Sequence, residues 1–154
     1  MVNTGGQPEP SEPSSAPAQA HLILYDGVCG LCNRLLEFLL LHDHRSVFRF
    51  ASLQGRVGTA LVKQSGGKPG ELTSFYVFAD YKSRTSRVFT RSDAALFVAG
   101  QLGWPWKAAK LLGVLPRRIR DRAYDRVARN RYRVFGRYDR CLIPRPEFRN
   151  RFID

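Results

Sequence analysis

The sequence predicts an α/β domain. Three observations carry that expectation: short apolar or alternating runs that read as strands, intervening segments with helical spacing, and the order in which they follow one another. That order is strand, helix, strand, helix, strand, strand, helix, and then a helical tail. With 154 residues, 44% of them hydrophobic, the chain has material for one domain with its own core. At this size a domain buries about 68–70% of its unfolded surface and needs no metal or disulfide staple.

Residues 1–20 differ in composition from the rest. Sixteen of the twenty are Pro, Ser, Gly, Ala, Gln or Glu and none is Lys or Arg, which predicts a disordered tail ahead of a single domain over 21–154. Order is expected from His21. The apolar run Leu22–Tyr25, stopped by Asp26-Gly27, reads as a buried strand entering a turn. Cys32, Leu35, Leu36 and Leu39 then follow helical spacing, predicting a helix from about Gly30 to Leu41 with those residues on its buried face. Val47–Ala51 alternates as a second strand. Ser52 is the expected N-cap of a short helix reaching about Lys63, followed by the loop Gly66–Gly70. Ser74–Ala79 and Arg87–Thr90 form the next two strands, joined through Asp80–Ser83. Thr90 or Ser92 caps a helix carrying Ala95, Leu96, Val98, Ala99 and Leu102. Trp104-Pro105-Trp106 opens a helix ending near Gly113, with Pro105 in its first turn. Pro116 plays the same part in the last helix, where Ile119, Ala123 and Val127, with Arg131 next in the i, i+4 series, are spaced along one row and those three apolar residues read as core.

Charge and cysteine content bound the function. Lys and Arg number 25 against 13 Asp and Glu, a net charge of +12 that admits nucleic acid, anionic membrane or acidic protein partners. Three cysteines are too few and too odd for a disulfide scaffold, so at least one is unpaired within the chain. That suits a reducing compartment, and a cytoplasmic location is expected. No apolar run reaches the ~18–20 residues of a spanning helix, and the first twenty residues lack the charged-then-apolar order of a secretory signal and the Arg of a transit peptide, so no targeting segment is expected.

The most informative segment is Asp26-Gly27-Val28-Cys29-Gly30-Leu31-Cys32, at the junction of the first strand and the first helix. Cysteines at this spacing close a small disulfide ring across one helical turn. At a helix N-terminus, unpaired backbone N–H groups and the helix dipole stabilise a thiolate. Cys29, nearest the helix start, is therefore the expected attacking thiolate. Cys32, one turn in and on the buried side, is the expected resolving thiol. Asp26 has two readings that stay open: a proton acceptor when Cys32 becomes the nucleophile, or a turn residue that caps the helix. The competing account of the pair is half of a zinc site, completed from His21, His42, His44 and Cys141. No second Cys-x-x-Cys and no His-x₃₋₅-His accompanies it, so no metal or cofactor is expected. A further account is two inert buried thiols. Cys141, among apolar residues, reads as core, with a third redox partner as its alternative.

These residues resemble a known family. LILYDGVCGLCNRLLEFLL is similar to the opening of the DCC family of thiol-disulfide oxidoreductases, with Asp26, Cys29 and Cys32 matching its Asp-x-x-Cys-x-x-Cys arrangement. Phe50-Ala51-Ser52-Leu53-Gln54, the segment Thr90–Leu96 and the run RIRDRAYDRVARNRYRVFGRYDRCLIPRPEFRNRF resemble its later blocks, so the likeness covers about residues 22–153. The resemblance implies a thioredoxin-like core with a basic C-terminal helical extension. It also implies protein-disulfide reductase activity on a disulfide-containing protein or small-thiol substrate, with a dithiol electron donor. In one respect the chain departs from thioredoxin, which places a cis-proline just before the strand facing its cysteines. Here Glu71-Leu72-Thr73 precedes that strand, and Pro69 lies further back.

The basic C-terminal end supports a rival of another class. Between Pro116 and Arg151 stand thirteen Arg against four acidic residues, interleaved with Tyr124, Tyr132, Phe135 and Tyr138. Such a surface would bind single-stranded nucleic acid, or an anionic membrane with Trp104 and Trp106 at the headgroups, leaving the cysteines structural. No RNA-binding motif accompanies the charge, which makes nucleic acid the less expected of the two.

Overall fold

The computed structural model describes residues 20–68, 75–138 and 145–153. Residues 1–19 of the expected disordered tail, Cys141 and the Glu71–Thr73 stretch therefore lie outside the described residues. The elements run β1 (His21–Tyr25), α1 (Gly30–His42), β2 (Phe48–Ser52), α2 (Arg56–Gln64), β3 (Tyr76–Ala79), β4 (Arg87–Thr90) and α3 (Arg91–Gln101). A 3₁₀ segment Trp106–Val114, the long α4 (Arg117–Phe135) and a 3₁₀ turn Pro146–Arg151 follow. Strand order in the sheet is β2-β1-β3-β4, with β2 parallel to β1 and the other neighbours antiparallel. A parallel pair needs a crossover, which α1 supplies. This is the α/β, thioredoxin-like arrangement expected from the sequence.

Alternation along β1 sorts the core into two layers. Ile23 and Tyr25 meet Leu36 and Leu39 of α1, Val98 of α3, and Phe48 and Phe50 of β2. Leu22 and Leu24 point the other way, onto Val62 of α2. Both layers converge on the end of β1, where Asp26 begins the loop into α1. The edge of β2 is closed by the C-terminus: Ile153 N–H donates to the Phe50 carbonyl at 2.9 Å. Arg151 is buried there between the Asp43 carboxylate and the Phe48 carbonyl.

Several expectations need correction. The buried row of α1 is Gly30, Asn33, Leu36 and Leu39, whereas Cys32 is half-buried and Leu35 exposed. The row through Cys32 and Leu35 faces a cavity instead of the sheet. Ser52 ends β2, its Oγ spent on Gln54, so α2 starts one turn later with Gly55 as N-cap. Thr90 stands at the N-cap of α3, and Ser92 inside it donates to Asp121 at 2.5 Å. Pro105 precedes the next element, which is 3₁₀ and not α-helical. None of its residues is buried, so it lacks the packed face that usually sustains an α-helix. Pro116 is likewise the N-cap of α4 and not its first residue.

The row Ile119, Ala123, Val127 is exposed, and of that i, i+4 series only Arg131 is buried. Polar anchors turn α4 this way: Asp121 to Ser92, the Tyr124 hydroxyl accepting from Phe75 N–H at 2.9 Å, and Arg131 to Asp26. Among the described residues no helix is long and apolar enough to cross a membrane.

Candidate active site

The loop from β1 to α1 is built around Asp26, which is 1% exposed. Its Oδ1 accepts from Val28 N–H at 3.2 Å and from Gln54 Nε2 at 2.7 Å. Its Oδ2 accepts from Arg131 Nη2 at 3.2 Å and from the Tyr132 hydroxyl. Burial and the bond to Asp26 push the Tyr132 hydroxyl up, so it stays a proton donor. An unpaired buried carboxylate is prohibitively costly; here donors from three places in the chain offset that cost. The Val28 bond is the turn chemistry expected of Asp-Gly, but Asp26 does not cap α1.

Cys29 does. Its backbone is extended (φ −85°, ψ 123°) and its Sγ accepts from Cys32 N–H at 3.4 Å. Asn33, directly beneath, donates Nδ2 to the Gly27 carbonyl at 3.1 Å and fixes the loop from below. Both cysteines are free thiols. Their exposure reverses the expected order: Cys29 is 0% exposed, and Cys32 is half-buried.

What covers Cys29 comes from the end of α4. Gly136, at φ +81°, turns the chain out of the helix, and Gly136–Tyr138 then pairs antiparallel with Val28–Gly30. Gly30 N–H donates to the Gly136 carbonyl at 3.2 Å, and Tyr138 N–H to the Val28 carbonyl at 2.7 Å. A Cβ at Gly30 would overlap the Phe135 carbonyl oxygen, so this close approach requires glycine there. The Arg137 guanidinium lies 5.5 Å over the Tyr132 ring, tying this strap to the Asp26 cluster.

Cys32 opens instead on a cavity of about 220 Å³ between α1, α3, α4 and the 3₁₀ segment. Leu35, Phe38, Phe75, Val98 and Trp106 give it an apolar wall, and Asp26, Tyr124 and Arg131 supply polar groups. Burial, then the thiol's hydrogen bond to Cys29, push Cys32 up to about 12. Burial similarly pushes Tyr124 up to about 12.

The sequence-predicted trio Asp26, Cys29 and Cys32 thus sits in one loop and first helical turn. Reading the sequence missed Gln54, Arg131, Tyr132 and the Gly136–Tyr138 strap. One signal pointed to Arg131: an arginine continuing an apolar helical row calls for a buried anion. His42 Nδ1 lies 2.8 Å from the Phe38 carbonyl, and His21 Nδ1 accepts from Asp80 N–H at 3.0 Å. Among the described residues no three His, Cys, Asp or Glu side chains gather into a metal-binding group.

Known proteins bear on this arrangement. The chain is 36% identical to YuxK of Bacillus subtilis over 132 residues, which span 86% of this chain and 93% of that one. It is 35% identical to a chloroplastic DCC family protein of Arabidopsis thaliana over 123 residues, 79% of this chain and 69% of that one. No solved structure matches it. The model of the DCC1-like thiol-disulfide oxidoreductase family matches residues 23–137, from within β1 to the strap over Cys29, ending before the expected limit near 153. The chain belongs to the DCC1-like thiol-disulfide oxidoreductase family.

Proposed function

We propose that this protein is a protein-disulfide reductase in which Cys29 attacks and Cys32 resolves. The observation that carries the reading is Cys29 Sγ at the N-cap of α1, accepting the N–H of Cys32. The Cys32 N–H aimed at the sulfur and the dipole of α1 put positive potential at that position, which favours negative charge on sulfur there. Cys32, pushed up to about 12, stays protonated at neutral pH and donates toward Cys29.

In the first step the Cys29 thiolate attacks one sulfur of a substrate disulfide. That S–S bond breaks, a mixed disulfide forms on Cys29, and the other substrate sulfur leaves as a thiolate protonated by water. Cys32 then loses its proton and attacks Cys29 Sγ. The mixed disulfide breaks, the second substrate thiolate leaves, and a Cys29–Cys32 disulfide remains. The substrate has gained two electrons, which an external dithiol donor restores to the protein. Asp26, on the wall of the same cavity as Cys32, is the proton acceptor of the second step, and the Arg131 charge favours the Cys32 thiolate. Because Cys29 is buried, the Gly136–Tyr138 strap has to move before a protein disulfide reaches it. The substrates of this reading are disulfide-containing proteins or small disulfides, handled in the reducing cytoplasm.

The test is dithiol-driven reduction of insulin disulfides by the full chain. Cys29→Ser is expected to fall to the background rate, and Cys32→Ser to accumulate substrate as a mixed disulfide on Cys29. Turnover retained in a folded Cys29→Ser protein overturns the reading.

A further inference from the structure

We infer that the 3₁₀ segment Trp106–Val114, together with Trp104, docks the protein on an anionic membrane surface through an apolar row lying beside a basic one. In a 3₁₀ helix side chains three positions apart eclipse one another, so the segment presents three rows. Trp106 begins the inner row, its ring edge-on to Phe38 at 4.9 Å. A second row, Ala108, Leu111 and Val114, faces water: Leu111 is 74% and Val114 87% exposed, and Trp104 just upstream is 83% exposed. The third row carries Lys107, which is exposed, and Lys110, whose side chain runs back over Gly100 of α3. Apolar side chains bared side by side mark an interaction surface, whereas scattered ones do not.

Charge identifies the occupant. From Gly103 to Arg120 there are five Lys and Arg and no Asp or Glu. Arg117 and Arg120 are paired with Asp93, while Lys107 and Arg118 have no ion pair among the described residues. A second copy of the chain fits poorly, because each copy carries +12 and would bring this basic surface against another. An anionic bilayer satisfies both rows at once. Its interfacial zone takes Trp104, Leu111 and Val114, and its phosphates take Lys107 and Arg118. This docking does not depend on the thiol chemistry.

The test is flotation of the full chain with vesicles of phosphatidylcholine alone or with 30% phosphatidylglycerol, a composition chosen for the assay and about that of a moderately anionic membrane. Binding is expected only with the anionic lipid, weakening as salt rises, with a blue shift of tryptophan fluorescence. Lys107→Gln with Arg118→Gln is expected to weaken it about twenty-five-fold, at roughly fivefold per basic residue. Trp104→Ser with Val114→Ser, both at exposed positions and checked for fold by circular dichroism, is expected to abolish the blue shift and most of the binding. Cys29→Ser is expected to bind like the parent, so a failed redox reading leaves this outcome intact. No binding to anionic vesicles at low salt overturns the proposal. So does binding unaffected by the Trp104 and Val114 changes but displaced by single-stranded RNA, which would mark a phosphate-binding surface.

Discussion

Three positions apart in the chain, Cys29 and Cys32 occupy contrasting surroundings. Cys29 is sealed beneath the Gly136–Tyr138 strap, with its sulfur turned to a backbone N–H. Cys32 looks into an apolar cavity, and burial holds it as a neutral thiol. The sulfur best placed to carry charge is covered, and the one open to the cavity is not charged. Cys-x-x-Cys spacing sets the reach between two sulfurs. Which of them is accessible depends also on residues of α4 and the strap, about a hundred positions downstream.

That contrast can be broken hardest at Arg131. Arg131→Met leaves the Asp26 carboxylate buried without its cation and is expected to cost about 3–5 kcal/mol in urea unfolding. Adding Asp26→Asn to Arg131→Met is expected to recover part of that loss; a double variant no more stable than the single would refute the pairing. Gly30→Ala places a methyl group against the Phe135 carbonyl and is expected to cost about 1–3 kcal/mol. The same change is expected to lift the strap and speed alkylation of Cys29, whereas an unchanged rate would mean that the strap does not control access. Tyr124→Phe removes the acceptor of Phe75 N–H and is expected to cost about 1 kcal/mol, read in the same unfolding experiment.

The mildest perturbation is pH. A thiol pushed up to about 12 is held neutral by the fold, so Cys32 alkylation should stay slow from neutral pH until well into the alkaline range. In Cys29→Ser its midpoint is expected to fall, because the hydrogen bond and charge of Cys29 both raise it, yet to stay above that of an ordinary thiol because burial is the larger cause. Site-resolved mass spectrometry against pH reads both. A Cys32 midpoint near that of a free thiol would erase the contrast between the two sulfurs.

Legibility in the sequence follows the range of the interactions. β1, the turn at Asp26-Gly27 and the start of α1 were readable because local periodicity and turn chemistry govern them. The β3–β4 pair was readable as two strand-like runs joined through Asp80–Ser83, whereas the partners of β1 were not read from the sequence. Cys32 and Leu35 were placed on the wrong face because their helical row lies beside the buried one, and a cavity is invisible in one dimension. In α4 the apolar row Ile119–Val127 argued for burial, but the polar anchors Asp121, Tyr124 and Arg131 determine how the helix sits. The bonds from Arg131 and Tyr132 to Asp26 span 105 and 106 positions, and no local pattern records such a distance.

The strap also has a consequence for biosynthesis. The thiol loop leaves the ribosome early, but the residues that cover it and neutralise Asp26 are made near the end of the described chain. A nascent chain therefore carries Cys29 uncovered, facing any oxidant or foreign thiol, until α4 has emerged and docked. Until then the thiol loop lacks both the strap and the Arg131 partner of Asp26.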